Sequence, residues 1–327
     1  MIVAPGHGPA DGHGQPGRAG APAPEWPRVS AIIATRDRPE LLAKAVAAAL
    51  GQDYAGVVEV VVVFDQAPVR DVAGTAATPR RQVRVIANER AAGLAGARNT
   101  GIKAAAGELI AFCDDDDAWV PAKITKQVTA MRAADAIMAV GGIKITYGDA
   151  VRERCPPGAV IDVHTLAHSR LTGAHPSTYL LRRADLLGPL GLVDEAIPYG
   201  YGEDYDLLLR VARFGRIVVV PEVLADVLWH PGSYFSRRWD AMIDGLGYLL
   251  AKHPEIANDR RGVAWVQGQR AFALAASGRR VEASRAALVS LRHNPIEPRG
   301  PLALVVASGL VSAERVMQVL NARGRGI

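Results

Sequence analysis

The stretch Gly93–Pro121, GLAGARNTGIKAAAGELIAFCDDDDAWVP, decides how the rest of the chain is read. Its first half is a loop leading into a small-residue helix that stops at Gly107. ELIAFC then forms a short apolar, strand-like run that ends directly in four aspartates, Asp114 to Asp117. Adjacent carboxylates repel one another, so a folded chain tolerates them only when they are solvated or neutralised by cations. At the carboxyl end of a buried strand they lie where parallel α/β sheets bind ligands, and hard oxygen donors suit Mg²⁺ or Mn²⁺. Side chains alternate in an extended segment, so Asp114 and Asp116 are expected to point one way and Asp115 and Asp117 the other. One pair then holds the metal, while another acid reaches a ribose or caps the helix that follows, the part expected of Asp117. Two other readings are a solvated acidic turn and a phosphatase-like Asp nucleophile. The apolar strand before the acids argues against the first, and the second lacks a suitable acid and lysine pattern downstream.

Working outward, VSAIIA from Val29 reads as a buried strand, and PELLAKAVAAAL places Leu41, Leu42, Ala45, Val46, Ala49 and Leu50 on one helical face, with Pro39 in the first turn. VVEVVVVF (Val57–Phe64) and VRVIA (Val83–Ala87) are two further β-branched runs. Strands and helices alternating in this order predict a parallel α/β sheet, and TRDR, DQAP and DDDD, each following a strand, should converge at its carboxyl edge. After about residue 138 the elements become mixed: AVGGIKITYG, STYLLRR, a helix DYDLLLRVARFG closed by Gly215, then RIVVV and EVLADVLWH. They read as a second half of the same sheet. Beyond Ser236 the pattern is helical, with WVQGQRAFALAASG and VEASRAALVSLRHNP expected as an antiparallel pair.

Composition limits the class. With 49% hydrophobic residues among 327, the chain can bury a large core. The 2 cysteines, Cys113 and Cys155, exclude a disulfide framework or a multi-cysteine zinc site and favour a reducing compartment, the cytoplasm. Residues 1–27, rich in Gly, Pro and Ala, are expected to be a flexible tail and lack the apolar segment of a signal peptide. The longest apolar run, Leu302–Val311, falls short of the roughly 20 residues that span a bilayer. Residues 236–327 carry 14 Lys or Arg against 7 Asp or Glu, or +7, which leaves −2 of the total +5 for the rest. Solvated helix faces account for such an end; peripheral contact with an anionic membrane, at its inner face, is the second expectation.

The motifs VSAIIATRDRPELL, VVVVFDQ, GLAGARNTGIKAAAGELIAFCDDDDAWVP and GYGEDYDLLLRVARFG, in that order, resemble the inverting family 2 glycosyltransferases of the GT-A fold. The resemblance covers Val29 to about Ser236. It implies a GT-A (Rossmann-like) α/β domain at 28–235, with a mainly parallel mixed sheet flanked by helices, a nucleotide-sugar half at 28–137, an acceptor half at 138–235, and a C-terminal helical extension at 236–327. The implied reaction is sugar transfer from a nucleotide diphosphate sugar (UDP, GDP or dTDP type) to an acceptor hydroxyl, with Mn²⁺ or Mg²⁺ on the diphosphate. Ala34, Thr35, Arg36 and Asp37 would line the nucleotide, Asp65 would contact the base, and Arg98 would lie near the diphosphate. At the second site the sequence departs from the family, with Phe64 where an acid is usual and Gln66 where glycine is. Asp114, Asp115 and Asp116 match the DXD region, Asp116 as metal ligand with Asp114 its partner and Asp115 with Asp114 as ribose contacts. His230, in LWHPGS, matches a histidine that returns to the metal.

Glu203-Asp204 resembles the family's ED pair, one carboxylate of which takes the proton from the acceptor hydroxyl. Asp204 is the expected base, with Glu203 or Asp206 as alternatives; Glu203 and Asp206 also suit a helix N-terminus. Asn99 is expected to be a structural cap, and His175-Pro176-Ser177 to line the acceptor side. The implied acceptor is a glycan, a lipid-linked glycan, a natural product or a peptide; no nucleic acid partner is implied. A non-catalytic scaffold with a degenerate GT-A fold is the second function class, against which the retained acids argue. Nucleotidyl transfer is a third, and it calls for a glycine-rich loop that ATRDRPE lacks.

Overall fold

The structure is a computed structural model and describes residues 26–72, 78–148, 150–229 and 238–322. β1 (Val29–Thr35) leads through a polar turn to α1 (Pro39–Leu50), β2 (Val58–Phe64), β3 (Arg81–Ala87), α2 (Leu94–Ala104) and β4 (Leu109–Asp114). The short β5 (Ala118–Trp119) closes the acid loop ahead of α3 (Lys123–Ala134) and β6 (Met138–Tyr147). Then come β7 (Ala150–Arg154), β8 (Val160–Ile161), α4 (Val163–Ala167), β9 (Leu180–Arg182), α5 (Arg183–Leu187), α6 (Glu203–Phe214) and β10 (Ile217–Leu228). Among the described residues six helices follow: α7 (Trp239–Lys252), α8 (Pro254–Ala257), α9 (Arg260–Ala276), α10 (Arg280–His293), α11 (Arg299–Ala307) and α12 (Ala313–Ala322).

The main path of the sheet runs β3-β2-β1-β4-β9-β6-β10-β5. β1, β2, β3 and β4 are parallel, as are β6 and β10, while β9 enters antiparallel to both β4 and β6. The sheet is therefore mixed and mainly parallel. Thr35 is in register with Phe64, and Ala34 with Asp114, so the β1, β2 and β4 ends form one edge, as the alternating pattern required.

Every residue of β2 is buried, because helices cover both faces of the sheet. Ile33, Val60 and Val62 face α1 and α3 through Leu42, Val46, Ile124 and Val128. The alternate residues Ile32, Val61 and Val63 face Ile102 of α2, in a core that continues through Leu208 of α6 to Leu246 and Phe272 of the C-terminal helices. The helical extension thus shares one apolar core with the sheet. Its expected pair is α9 and α10, turned at Gly278 with φ 81. RIVVV and the start of EVLADVLWH, read as two runs, meet in the single strand β10, which ends at Leu228 and whose register against β6 slips between Val220 and Val223, around Pro221. Residues 1–25 of the expected tail lie outside the described residues.

α2 is built from small residues because it lies tight against the sheet: a Cβ on Gly101 would stand 2.4 Å from Ile32 Cγ2. Gly101→Val is accordingly expected to lose about 1–3 kcal/mol of stability through overpacking, measured by urea unfolding. An unchanged midpoint would mean that α2 is free to move outward.

Candidate active site

The β1 and β4 ends of the edge are held together by charge. Thr35 Oγ1 donates to Asp115 Oδ2 at 2.7 Å, and Arg38 Nη1 reaches Asp115 Oδ1 at 3.2 Å and Asp116 Oδ2 at 2.8 Å. Ala34 is half-buried at the strand end, while Arg36 and Asp37 are exposed, Asp37 in the left-handed region with φ 54. Asp65 is buried and accepts hydrogen bonds from Asn88 Nδ2 (2.8 Å), Gln66 Nε2 (3.1 Å) and the Gly93 amide (3.0 Å). It pins the segment that starts α2 beside the strand ends. Gln66 has φ 53, a conformation that glycine adopts at lower cost, which is why a glycine suits this place.

The extended geometry expected through the acid run stops at Asp114. Residues 115–116 turn, with the Asp117 amide donating to the Asp114 carbonyl at 3.2 Å, so the side chains do not alternate. Asp115 and Asp116 share Arg38, while Asp114, Asp117 and His175 bring one ligand atom each within 4.8 Å of one another. Asp117 does not cap the next helix: α3 starts after Ala122 with no side-chain cap. Asp117 instead accepts from Ser177 Oγ and, at 3.4 Å, from the Leu228 amide, and Ser177 Oγ accepts from the Asp114 amide at 3.0 Å. Ser177, expected on the acceptor side, is fully buried beneath the acid loop as its strut.

Burial first, then the neighbouring acids, sets the charge state of this loop. Asp115 is pushed up to about 6 by burial, against the opposing Thr35 hydroxyl and Arg38. Asp117 is driven well above the carboxylate range by burial and by Asp114. Burial lowers His175 despite nearby Asp114 and Asp204. Asp114, Asp117 and His175 supply two carboxylates and an imidazole nitrogen, a donor set that fits Mn²⁺ or Mg²⁺. His230 lies outside the described residues.

Arg98 joins this loop to the second acid pair. Only 3% exposed and lying 5.0 Å from the Phe112 ring centroid, it donates to Asp114 Oδ1 at 2.8 Å and to Glu203 Oε1 at 2.7 Å. Glu203 and Asp204 open α6 behind Gly202, where the unpaired amides favour negative charge. Asp204 Oδ1 accepts from the Tyr205 amide at 2.8 Å, and Oδ2 accepts from Arg170, an exposed side chain of the loop that follows α4. The two acids diverge in basicity. Burial and Asp204 raise Glu203 to about 7 against Arg98; burial also acts upward on Asp204, but Arg170 outweighs it and holds that carboxyl below the usual range.

Asp206, the other alternative base, is fully buried between Arg210 (2.8 Å), Lys252 (2.6 Å) and His253 (2.9 Å). It fastens α6 to α7 and the His253 turn and offers no opening to an acceptor. Asn99 does not cap a helix. It sits inside α2 and exchanges hydrogen bonds with the Val193 backbone at 2.8 and 2.9 Å. Sequence reasoning missed Arg38 and Arg170. Arg38 had a signal, since it ends the TRDR segment expected at this edge; Arg170 lies where no periodicity marks the chain.

The model of glycosyl transferase family 2 matches residues 30–172, a span holding the β1 loop, Asp65, Arg98 and the acid loop. Over that span the chain is similar to glycosyl transferase family 2. Among similar proteins, the succinoglycan biosynthesis protein ExoO of Rhizobium meliloti (strain 1021) is 33% identical over 218 residues, 62% of this chain and 61% of that one. The Escherichia coli protein WfgD, named as a UDP-Glc:alpha-D-GlcNAc-diphosphoundecaprenol beta-1,3-glucosyltransferase, is 29% identical over 142 residues, 42% of this chain and 52% of its own. The chain thus spans between about half and three fifths of the length of these two relatives. The family fold is also that of S. aureus TarS 1-349 in complex with UDP-GlcNAc, with a TM-score of 0.58 and 16% identity over 91% of this chain and 92% of that one. The mannosyltransferase PcManGT from Pyrobaculum calidifontis, in complex with GDP-Man and Mn2+, gives 0.54 and 20% identity over 92% and 86%. These likenesses establish the GT-A fold.

Proposed function

We propose that this chain is a metal-dependent, inverting glycosyltransferase that moves a sugar from a nucleoside diphosphate sugar to an acceptor hydroxyl. The observation that carries the proposal is Arg98, which links the acid loop through Asp114 to the Glu203-Asp204 pair from a buried position. Charged groups so arranged suit a substrate with an anionic end and a reacting carbon beside it.

In this reading Asp204 takes the proton of the acceptor hydroxyl, whose oxygen forms a bond to the anomeric carbon as the bond from that carbon to the diphosphate oxygen breaks. The electron pair leaves with the diphosphate, and attack from the opposite face inverts the carbon. Asp204 is the better base of the pair because it is held ionised, whereas Glu203 at about 7 is substantially protonated at neutral pH. Withdrawal of Arg170 as the acceptor arrives would make Asp204 more basic. Arg98 is placed to donate to the diphosphate, Thr35 and Arg38 to hold the loop beneath the nucleotide, and Asp65 to meet the base. Asp114, Asp117 and His175 are placed to hold the cation, with Asp116 joining once its pair with Arg38 opens. A divalent ion there supplies neutralisation of charge on the leaving diphosphate.

The pH dependence follows. With Asp204 as base, single-turnover transfer should keep its rate from pH 8 down past pH 6; half-loss near pH 7 would assign the base to Glu203.

Two Escherichia coli relatives are named for transfer to alpha-D-GlcNAc-diphosphoundecaprenol, which favours a lipid-linked glycan as acceptor here. No described helix is long and apolar enough to cross a membrane. The buried Cys113 and exposed Cys155 are both free thiols, in keeping with the cytoplasm. A hydrolysis screen of UDP, GDP and dTDP sugars with Mn²⁺ or Mg²⁺ tests the proposal. One donor class should be consumed slowly without acceptor, and EDTA should stop it; no turnover of any donor counts against the proposal.

A further inference from the structure

The C-terminal helices present a surface that the transfer reaction does not use. On α10 the positions 281, 285, 288 and 292 recur at helical spacing, so Val281, Arg285, Leu288 and Arg292 form one stripe. The opposite side, Ala283, Ala286, Ala287 and Ser290, is buried, and Ser290 Oγ donates to the Ala264 carbonyl of α9 at 2.7 Å. The stripe faces solvent, with Val281 65% and Leu288 61% exposed.

α11 runs back along α10. A Cβ on Gly300 would stand 3.0 Å from Leu291 Cγ, and one on Gly309 would stand 3.2 Å from Arg280 Nη2. Leu310, 80% exposed, therefore lies beside the start of α10, and Ile296, 87% exposed, follows its end. Four protruding apolar side chains are thus spread along a helix roughly 21 Å long and interleaved with Arg280, Arg285 and Arg292. Of the nearby acids, Glu282 and Glu297 are paired, with Arg279 at 2.9 Å and with Arg299 at 2.7 Å, while Asp240 and Asp244 act on Arg279 beside the start of α10. None of Arg280, Arg285 and Arg292 forms a salt bridge among the described residues, so the face carries net positive charge.

We propose that this outer face of α10, with the turns at Ile296 and Leu310, docks on the surface of an anionic lipid bilayer. Single apolar side chains separated by arginines leave no contiguous apolar centre of the kind found at the core of a protein interface. They suit the lipid boundary, where the apolar tips enter the acyl region while the guanidinium groups stay at the phosphates. The assignment does not depend on the transfer reading, because docking is measurable without donor or acceptor. If the acceptor is carried on a lipid, the surface also brings the enzyme to it.

The test is co-flotation of the full chain with phosphatidylglycerol–phosphatidylcholine vesicles and with pure phosphatidylcholine vesicles. Binding should require phosphatidylglycerol and weaken as salt rises. Arg285→Glu with Arg292→Glu, or Leu288→Glu with Ile296→Glu, should weaken it by about tenfold or more, with unchanged unfolding temperature because these side chains are exposed. No binding by the unaltered chain overturns the proposal, and so does equal binding by both pairs of variants. A dimer in sedimentation equilibrium that Leu288→Glu dissociates also overturns it, since the face would then join two copies of this chain.

Discussion

Asp204→Asn is expected to lower turnover by about 10²–10⁴-fold, the range for loss of a positioned general base. The amide keeps the shape of the carboxyl, and its one oxygen still accepts from the Tyr205 amide, which holds the start of α6, while its NH2 group faces Arg170 and that ion pair is lost. What is lost is the lone pair that receives the acceptor proton. Donor binding, read by titration calorimetry, should change less than threefold, because the proposed donor contacts lie on Arg98 and the acid loop. A variant with full turnover, or one that loses donor affinity and turnover together, would move the base elsewhere.

Arg98→Ala is expected to do more damage to the fold than any other single change at this site. Arg98 is the cation between Asp114 and Glu203, and removing one partner from a buried pair costs roughly 3–5 kcal/mol because the remaining charge has nothing to compensate it. The loss should depend on pH. Glu203 ionises near 7 in the folded chain against an ordinary 4.5, so the stability tied to its protonated form is full below 4.5 and is lost as pH rises through about 7. Arg98 lowers that value in the unaltered chain, and its removal sends Glu203 higher still. The deficit of the variant should therefore be small at pH 5 and large at pH 8 in urea melts. A deficit independent of pH would show that Glu203 is stabilised from another direction.

The sheet was legible because burial leaves a local signature. VSAIIA, VVEVVVVF and ELIAFC have no polar face to alternate with, and each ends in a polar segment at one shared edge of the sheet. Partnerships between distant residues leave no such mark. Nothing in TRDR says that Arg38 will answer Asp115 and Asp116, and nothing in the segment before His175 points to Arg170 or to its partner Asp204. The acid run misled for a related reason: alternation assumes an extended chain, whereas residues 115–116 turn and bring Asp114 and Asp117 to the same side as His175. Asn99 and Asp117 carry the residue types of helix caps, yet their side chains serve Val193 and Ser177, contacts settled only by the fold. The bend at Pro221 disguised one strand as two.

The central claim is a site for a nucleoside diphosphate with a divalent cation, and calorimetric titration of UDP, GDP and dTDP, each with and without Mn²⁺, tests it most directly. One of the three should bind at least tenfold more tightly with Mn²⁺ than without, a gain of about 1.4 kcal/mol, and Asp114→Ala should remove the difference. Binding of none of them, or binding indifferent to Mn²⁺ and to Asp114→Ala, would contradict the account and leave a non-catalytic scaffold of the same fold.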